Sequence, residues 1–133
     1  MVNGYLLDTH TFLWMTRISD ISNLGKEAKM ILENPDSVLF VSPVSLFEIQ
    51  NKYRQGKLPE FALVAENMIE TLDQLEVSEL SLNWAHAERA GRLDWNHKDP
   101  FDRLLAAQAQ MEELTLITCD KVFNDAPNLE LLW

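Results

Sequence analysis

The chain has 133 residues, of which 47% are hydrophobic and 24% are charged, a balance typical of one folded domain over residues 1–133. One cysteine excludes an intramolecular disulfide, and no run approaches the roughly 20 apolar residues of a membrane span. The net charge of −10 argues against a broad basic surface for nucleic acid. The N-terminal segment lacks the basic start of a signal peptide, so we expect a cytoplasmic protein without membrane association.

Apolar runs of strand length alternate along the chain with segments of helical periodicity. The run at residues 38–41 is continuously apolar, which suits a sheet covered on both faces. Both Ser42-Pro43 and Asp99-Pro100 match an N-cap followed by proline at the first helical position. The alternation predicts an α/β fold with a central, mostly parallel sheet of about five strands and helices on both faces. Predicted strands are 5–7, 38–41, 75–77, 115–118 and 129–132; predicted helices are 9–17, 22–33, 43–53, 59–72, 82–90 and 101–113.

Four acidic residues occupy the positions where such a sheet binds ligands. Asp8 directly follows the first predicted strand, and Asp120 closely follows the fourth. Glu48 lies in the second turn of its predicted helix and Asp102 in the first turn of another. Ligands of parallel sheets bind beyond the carboxyl ends of the strands. If the first and fourth strands are neighbours, these acids can gather around Mg²⁺ or Mn²⁺ and support phosphodiester hydrolysis, although spacing alone only suggests this.

Each acid also has a structural alternative. Capping a helix is the better interpretation for Asp8 taken alone, and for Asp99 before Pro100. A carboxylate at the position of Asp102 is stabilised by the helix dipole whatever its function. Asp120 can equally be a turn residue, whereas Glu48, between two apolar neighbours, favours a functional role.

The remaining candidate residues have mostly structural interpretations. Cys119 is expected to fill a gap in the core. A small basic patch of Lys52, Arg54 and Lys57 is a solvated helix end or, alternatively, a contact for RNA phosphates. The tryptophans are expected in the core or an interface, and the histidines lack metal-ligand spacing such as HExxH. They are Trp14, Trp84, Trp95 and Trp133, and His10, His86 and His97.

Several motifs, in order along the chain, resemble the PIN-domain ribonucleases, in particular the VapC-like toxins of bacterial type II toxin–antitoxin pairs. The most specific is His-x-Asp-Pro-Phe-Asp-Arg, which begins at His97. The matching segments are 6–10 (LLDTH), 13–14 (LW), 41–49 (VSPVSLFEI), Lys52, 56–58 (GKL), 97–109 (HKDPFDRLLAAQA), 116–120 (LITCD) and Trp133.

The resemblance implies a PIN-like nuclease domain with Mg²⁺- or Mn²⁺-dependent endoribonuclease activity. It also implies an RNA substrate, a homodimer and inhibition by a small antitoxin that reaches into an acidic cleft. Carried over by position, the catalytic and metal-binding residues are Asp8, Glu48, Asp102 and Asp120. Supporting or additional candidates are Asp99, Thr118 and Thr9, and candidates for RNA contact are Lys52, Arg103 and His97.

Three other functions are weighed against the sequence. A receiver-type phosphoacceptor domain is also parallel α/β, but it needs an acidic pair after the first strand, where Asp8 stands alone. A phosphatase of the haloacid dehalogenase type is a weaker alternative, because Asp8-Thr9-His10 lacks the second aspartate that its nucleophile motif requires. A non-catalytic PIN-like binding module is disfavoured by the intact set of four acids.

Overall fold

The computed structural model describes residues 4–17 and 22–133; residues 1–3 and 18–21 of the predicted domain lie outside the described residues. The described part contains one five-stranded sheet in which every pairing is parallel. Its order is β3-β2-β1-β4-β5. The predicted α/β architecture is confirmed. The strands are β1 (Gly4–Leu7), β2 (Val38–Val41), β3 (Ser78–Glu79), β4 (Thr115–Ile117) and β5 (Leu131–Leu132).

Helices connect the strands and cover both faces of the sheet. The α-helices are α1 (Thr9–Met15), α2 (Lys26–Glu33), α3 (Pro43–Arg54), α4 (Ala62–Glu66), α5 (Met68–Gln74), α6 (Trp84–Arg92) and α7 (Pro100–Met111), and 3₁₀ turns span Pro59–Phe61 and Lys121–Asp125. Among the described residues, no helix has both the length and the apolar character needed to traverse a bilayer.

Neighbouring residues of the central strands point to opposite faces and build two separate cores. Leu7 and Ile117 belong to the core on one face, together with residues of α1, α2 and α3. Leu6 and Leu116 belong to the core on the other face, together with residues of α6 and α7. Both faces of β1 and β4 are therefore buried. The run at residues 38–41 also contacts both cores, with Leu39 and Val41 in one and Phe40 against the other, as its continuous apolar character predicts.

The order of the strands determines where a site can form. From β1 the chain builds outward through β2 to β3, then returns to place β4 on the other side of β1. Leu7 is in register with Ile117, and the N–H of Asp8 donates to the carbonyl of Ile117 at 3.2 Å. The carboxyl ends of β1 and β4 therefore lie side by side where the winding direction changes, the usual position of ligand sites in such sheets.

Two predicted elements are wrong in position or continuity. Strand β3 is Ser78–Glu79 rather than 75–77, because Glu76 adopts a φ of 56° at the end of α5 and keeps these residues in a turn. The helix predicted at 59–72 consists of a 3₁₀ turn, α4 and α5. Its break lies at Asn67, whose side-chain amide donates to the carbonyl of Leu63. Polar side chains that compete for backbone groups often interrupt helices in this way.

Other boundaries move by a few residues. The helix predicted at 22–33 begins only at Lys26, after Gly25. A Cβ atom on Gly25 would lie 2.6 Å from the Trp133 ring, so this close approach requires glycine. Helix α6 runs from Trp84 because the side chain of Asn83 caps it. The last predicted strand, 129–132, contracts to Leu131–Leu132.

Candidate metal centre

All four predicted acids line one cavity of about 470 Å³ at the carboxyl ends of β1 and β4. Two come from the ends of these strands and two from helices α3 and α7. Their common position follows from the strand order, because β1 and β4 are neighbours. The lining residues are Asp8, Thr9, His10, Trp14, Glu48, Lys52, Asp99, Asp102, Leu105, Cys119, Asp120 and Phe123.

Asp8 is held by two hydrogen bonds and is only 7% exposed. Its Oδ1 accepts from the backbone N–H of Thr11 at 2.8 Å, so it is the N-cap of α1. Its Oδ2 accepts from the hydroxyl of Thr118. The predicted capping role is therefore present at a carboxylate that also faces the cavity.

Thr118 links the ends of the two strands. Its hydroxyl donates to Asp8 and accepts from the backbone N–H of Asp120 at 3.0 Å. The carboxylate of Asp120 in turn accepts from the N–H of Val122 at 3.1 Å and caps the following 3₁₀ turn. One buried hydroxyl thus sets the distance between two of the acidic positions.

Glu48 is fixed by polar neighbours on both of its oxygens. The hydroxyl of Thr9 donates to Oε1 at 2.7 Å and lies 3.0 Å from the hydroxyl of Ser45. The ammonium group of Lys52, one turn along α3, lies 2.7 Å from Oε2. A carboxylate between the apolar residues Phe47 and Ile49 is thereby stabilised, since hydrogen bonds and an opposite charge offset its desolvation.

Asp102 lies in the first turn of α7, and its backbone N–H donates to Asp99 at 3.2 Å. Asp99 also accepts from the N–H of Phe101 and is the N-cap of this helix, as its sequence position predicts. Oδ2 of Asp102 lies 2.6 Å from Nε2 of His97. Burial raises the pKa of Asp102 above its ordinary value of 3.8; the hydrogen bond with His97 opposes this rise, and repulsion from Asp99 and Asp120 adds to it.

The residues present are suited to a hard divalent cation. Five carboxylates line the cavity, those of the four predicted acids and of Asp99, together with one lysine, Lys52, and one histidine, His10. The thiol of Cys119 is a poor competitor, because partial burial and the charge of Asp8 raise its pKa and keep it protonated at neutral pH. Oxygen-only donor sets select Mg²⁺ or Mn²⁺ over softer metals.

The four carboxylates are nevertheless not drawn tightly together. Among the described residues, the one group of three candidate ligand atoms within 4.8 Å of one another comprises His97, Asp99 and Asp102. The cavity therefore leaves room between Asp8, Glu48, Asp102 and Asp120. Mg²⁺ commonly retains several waters, so wide spacing is compatible with it.

The structure places the three candidates for RNA contact against protein groups. Lys52 is paired with Glu48 and His97 with Asp102. The guanidinium of Arg103 donates to four backbone carbonyls, those of Ala90, Leu93, Trp95 and His97, at 2.7–2.9 Å. The sequence did not reveal this role of Arg103; its only signal is an arginine directly after the acid of α7.

One expectation for a single residue is corrected. Cys119 is exposed rather than filling a core gap, because it lies in the loop between β4 and the following 3₁₀ turn. Trp84 is 95% exposed at the start of α6 and lies outside the core, so an interface is the part of its expectation that stays a prediction. Trp95 is buried, whereas Trp14 and Trp133 are partly buried and in ring contact with each other at 5.7 Å.

The PIN domain family model matches residues 5–129, and the chain therefore belongs to the PIN domain family. The fold is also that of several solved structures. DNA-bound VapBC from Salmonella typhimurium is 18% identical, with 99% of this chain and 98% of that chain covered and a TM-score of 0.70. VapBC2 from Rickettsia felis, bound to a promoter DNA fragment, is 20% identical, with 98% of each chain covered and a TM-score of 0.68.

A third solved structure is described as a sarcin–ricin loop cleaving toxin. It is VapC20 from Mycobacterium tuberculosis, 16% identical, with 95% of this chain and 98% of that chain covered and a TM-score of 0.61. No curated protein sequence matches this chain. At these identities the solved structures establish the shared fold, and the expected family is confirmed by the family model.

Proposed function

We propose that this chain is a metal-dependent endoribonuclease and the toxin of a toxin–antitoxin pair. The observation that carries the proposal is the gathering of Asp8, Glu48, Asp102 and Asp120 around one cavity in a PIN domain. These four residues are the proposed ligands of Mg²⁺ or Mn²⁺. Bound there, such an ion would lower the pKa of a water and stabilise negative charge on the attacked phosphate.

The surrounding residues have distinct tasks in this proposal. Thr118 and Thr9 donate to Asp8 and Glu48 and keep these carboxylates oriented towards the cavity. Lys52, 32% exposed at its side chain, is the cation best placed to meet a phosphate of the RNA while it neutralises Glu48. Asp99 supports the site mainly as the cap that fixes the first turn of α7.

The partner of the toxin is proposed to be a small antitoxin with a basic segment. The net charge of −10 disfavours tight nonspecific binding of RNA but favours a cationic protein segment at the acidic cavity. VapBC structures, such as those from Salmonella typhimurium and Rickettsia felis, share this fold. We also propose a homodimer, on the basis of the resemblance to the family. The molar mass of the purified protein, measured by light scattering, would test it.

Two alternatives predict different behaviour. A receiver domain has the strand order 2-1-3-4-5, whereas this sheet has the order 3-2-1-4-5 and belongs to a PIN domain. A non-catalytic PIN-like binding module would bind partners but would not cleave RNA, whichever metal ion is added. The cleavage assay below separates this alternative from the proposed nuclease.

The test compares wild type with Asp8→Asn on a mixed preparation of ribosomal and transfer RNA, with Mg²⁺, Mn²⁺ or EDTA. Asparagine can still cap α1, so the variant should fold while one ligand charge is lost. We expect metal-dependent cleavage by wild type and a cleavage rate at least about 100-fold lower in the variant. Loss of a residue that only supports a metal ligand costs up to about 100-fold, and Asp8 is proposed to be a ligand itself.

The matched control is Asp36→Asn, which removes the same charge from an exposed turn outside the cavity. It should cleave at the wild-type rate. Equal cleavage by wild type and Asp8→Asn, or cleavage that persists in EDTA, would refute the proposed site. Absence of cleavage with every metal and RNA would favour the binding module.

A further inference from the structure

Arg103 and Asp102 are consecutive residues of α7, and both reach the loop that precedes this helix. The guanidinium of Arg103 donates to the carbonyls of Leu93, Trp95 and His97 in that loop, and to Ala90 at the end of α6. A planar guanidinium with several donors is well suited to fix a backbone in this way. The conformation of residues 93–97 is therefore set by the helix that carries Asp102.

The loop presents the imidazole of His97 to Asp102. Nε2 lies 2.6 Å from Oδ2 of the carboxylate. The ring of His97 contacts the buried ring of Trp95 at a centroid distance of 4.9 Å, and Trp95 in turn contacts Phe123 at 5.7 Å. Since an ionised carboxylate only accepts hydrogen bonds, the shared proton belongs to Nε2 of His97.

We propose that His97, held by Arg103 and Trp95, is a positioning residue that orients the Asp102 carboxylate for the divalent cation. With Oδ2 engaged by His97, Oδ1 is the oxygen of Asp102 that has no hydrogen-bond partner among the described residues. Partners of this kind fix the orientation of ligating groups in metal sites. The inference rests on the proposed function, and it assigns His97 to the metal centre rather than to RNA.

Mn²⁺ binding, measured from the loss of the free-ion signal in electron paramagnetic resonance, tests this role without RNA. His97→Ala should weaken Mn²⁺ binding about 10- to 100-fold, the range for loss of such a partner. His97→Gln keeps a side-chain N–H donor and should recover most of that loss. In cleavage assays, saturating Mn²⁺ should restore much of kcat to His97→Ala, because the substitution weakens the affinity for the ion rather than the cleavage step.

The control is Glu112→Gln, which changes the other histidine–carboxylate pair, that with His86, outside the cavity; its Mn²⁺ affinity should stay within about threefold of wild type. Mn²⁺ binding by His97→Ala as tight as by wild type would overturn the inference. So would a glutamine variant as defective as the alanine variant, since that would make the imidazole itself a ligand.

A measurement on wild type guards against variants that fail to fold. In ¹⁵N-histidine spectra, Nε2 of His97 should carry the proton both without and with Mg²⁺. Loss of the proton from Nε2 on adding Mg²⁺ would overturn the inference. If wild type binds Mn²⁺ through His97-dependent geometry but cleaves no RNA, the proposed function fails and the positioning role stands.

Discussion

At the scale of single residues, the candidate centre depends on polar groups that hold each acid in place. Asp8 is bound by Thr118, Glu48 by Thr9 and Lys52, and Asp102 by His97. The sequence is sufficient to predict which acids form the candidate site and where each lies locally, because each follows a strand or lies in an early turn of a helix. The supporting contacts are not, since Thr9 and Glu48 are 39 residues apart and Thr118 and Asp8 are 110 apart. The role of the four acids as ligands stays a prediction.

Asp102→Asn should stabilise the metal-free protein at neutral pH while it removes a proposed ligand. The pKa of Asp102 is raised by burial, so above the folded-state pKa its charge costs folding free energy, and below the unfolded value of about 3.8 the cost disappears. The variant should therefore melt at a higher temperature than wild type at pH 7 in EDTA.

This difference in Tm should shrink as the pH falls through the raised pKa and vanish below the unfolded value. Thermal melts of both proteins across this pH range, followed by circular dichroism, measure it. A variant that melts below wild type at pH 7 would show that the hydrogen bond with His97 outweighs the cost of burying the charge.

At the scale of elements, prediction works where one segment carries its own signals. Strands β1, β2 and β4 are continuous apolar runs, and α3 and α7 each begin with a capping residue and proline. Prediction fails where tertiary packing decides, as at β3, a two-residue strand that pairs with the end of β2. Prediction also fails at Asn67, because its side-chain amide donates to the backbone carbonyl of Leu63 and so interrupts the predicted helix.

Helix α7 offers a test of capping against ligation. Asp99→Ala removes the acceptor for the N–H groups of Phe101 and Asp102 and should lower the free energy of unfolding by about 1 kcal/mol. Asp99→Asn keeps a capping acceptor and should be close to wild type in urea denaturation. It should also retain Mn²⁺ binding if Asp99 acts mainly as a cap. An asparagine variant as unstable as the alanine variant would show that the charge of Asp99 matters for stability.

At the scale of the whole molecule, charge determines which partners associate rapidly. With 21 acidic and 11 basic residues, the chain attracts cationic segments over distances near the Debye length, roughly 10 Å at 0.1 M salt. If the product of the neighbouring gene is the antitoxin, mixing it with the protein should abolish RNA cleavage. Unchanged cleavage after mixing would count against this partner.

The association rate with that partner should fall about tenfold or more between low and high salt, as for other electrostatically steered pairs. The dissociation rate should change far less. Stopped-flow fluorescence at several salt concentrations separates the two rates, and an association rate independent of salt would contradict steering by charge.

The pairing of β1 with β4 also has a consequence for synthesis of the chain. Tyr5 is in register with Thr115, so the ribosome must make more than a hundred intervening residues before these strands can meet. Asp102 and Asp120 lie well after Asp8 and Glu48 along the chain. A nascent chain therefore lacks half of its proposed catalytic acids until residue 102 is made, and a polypeptide that ends before residue 120 cannot assemble the centre.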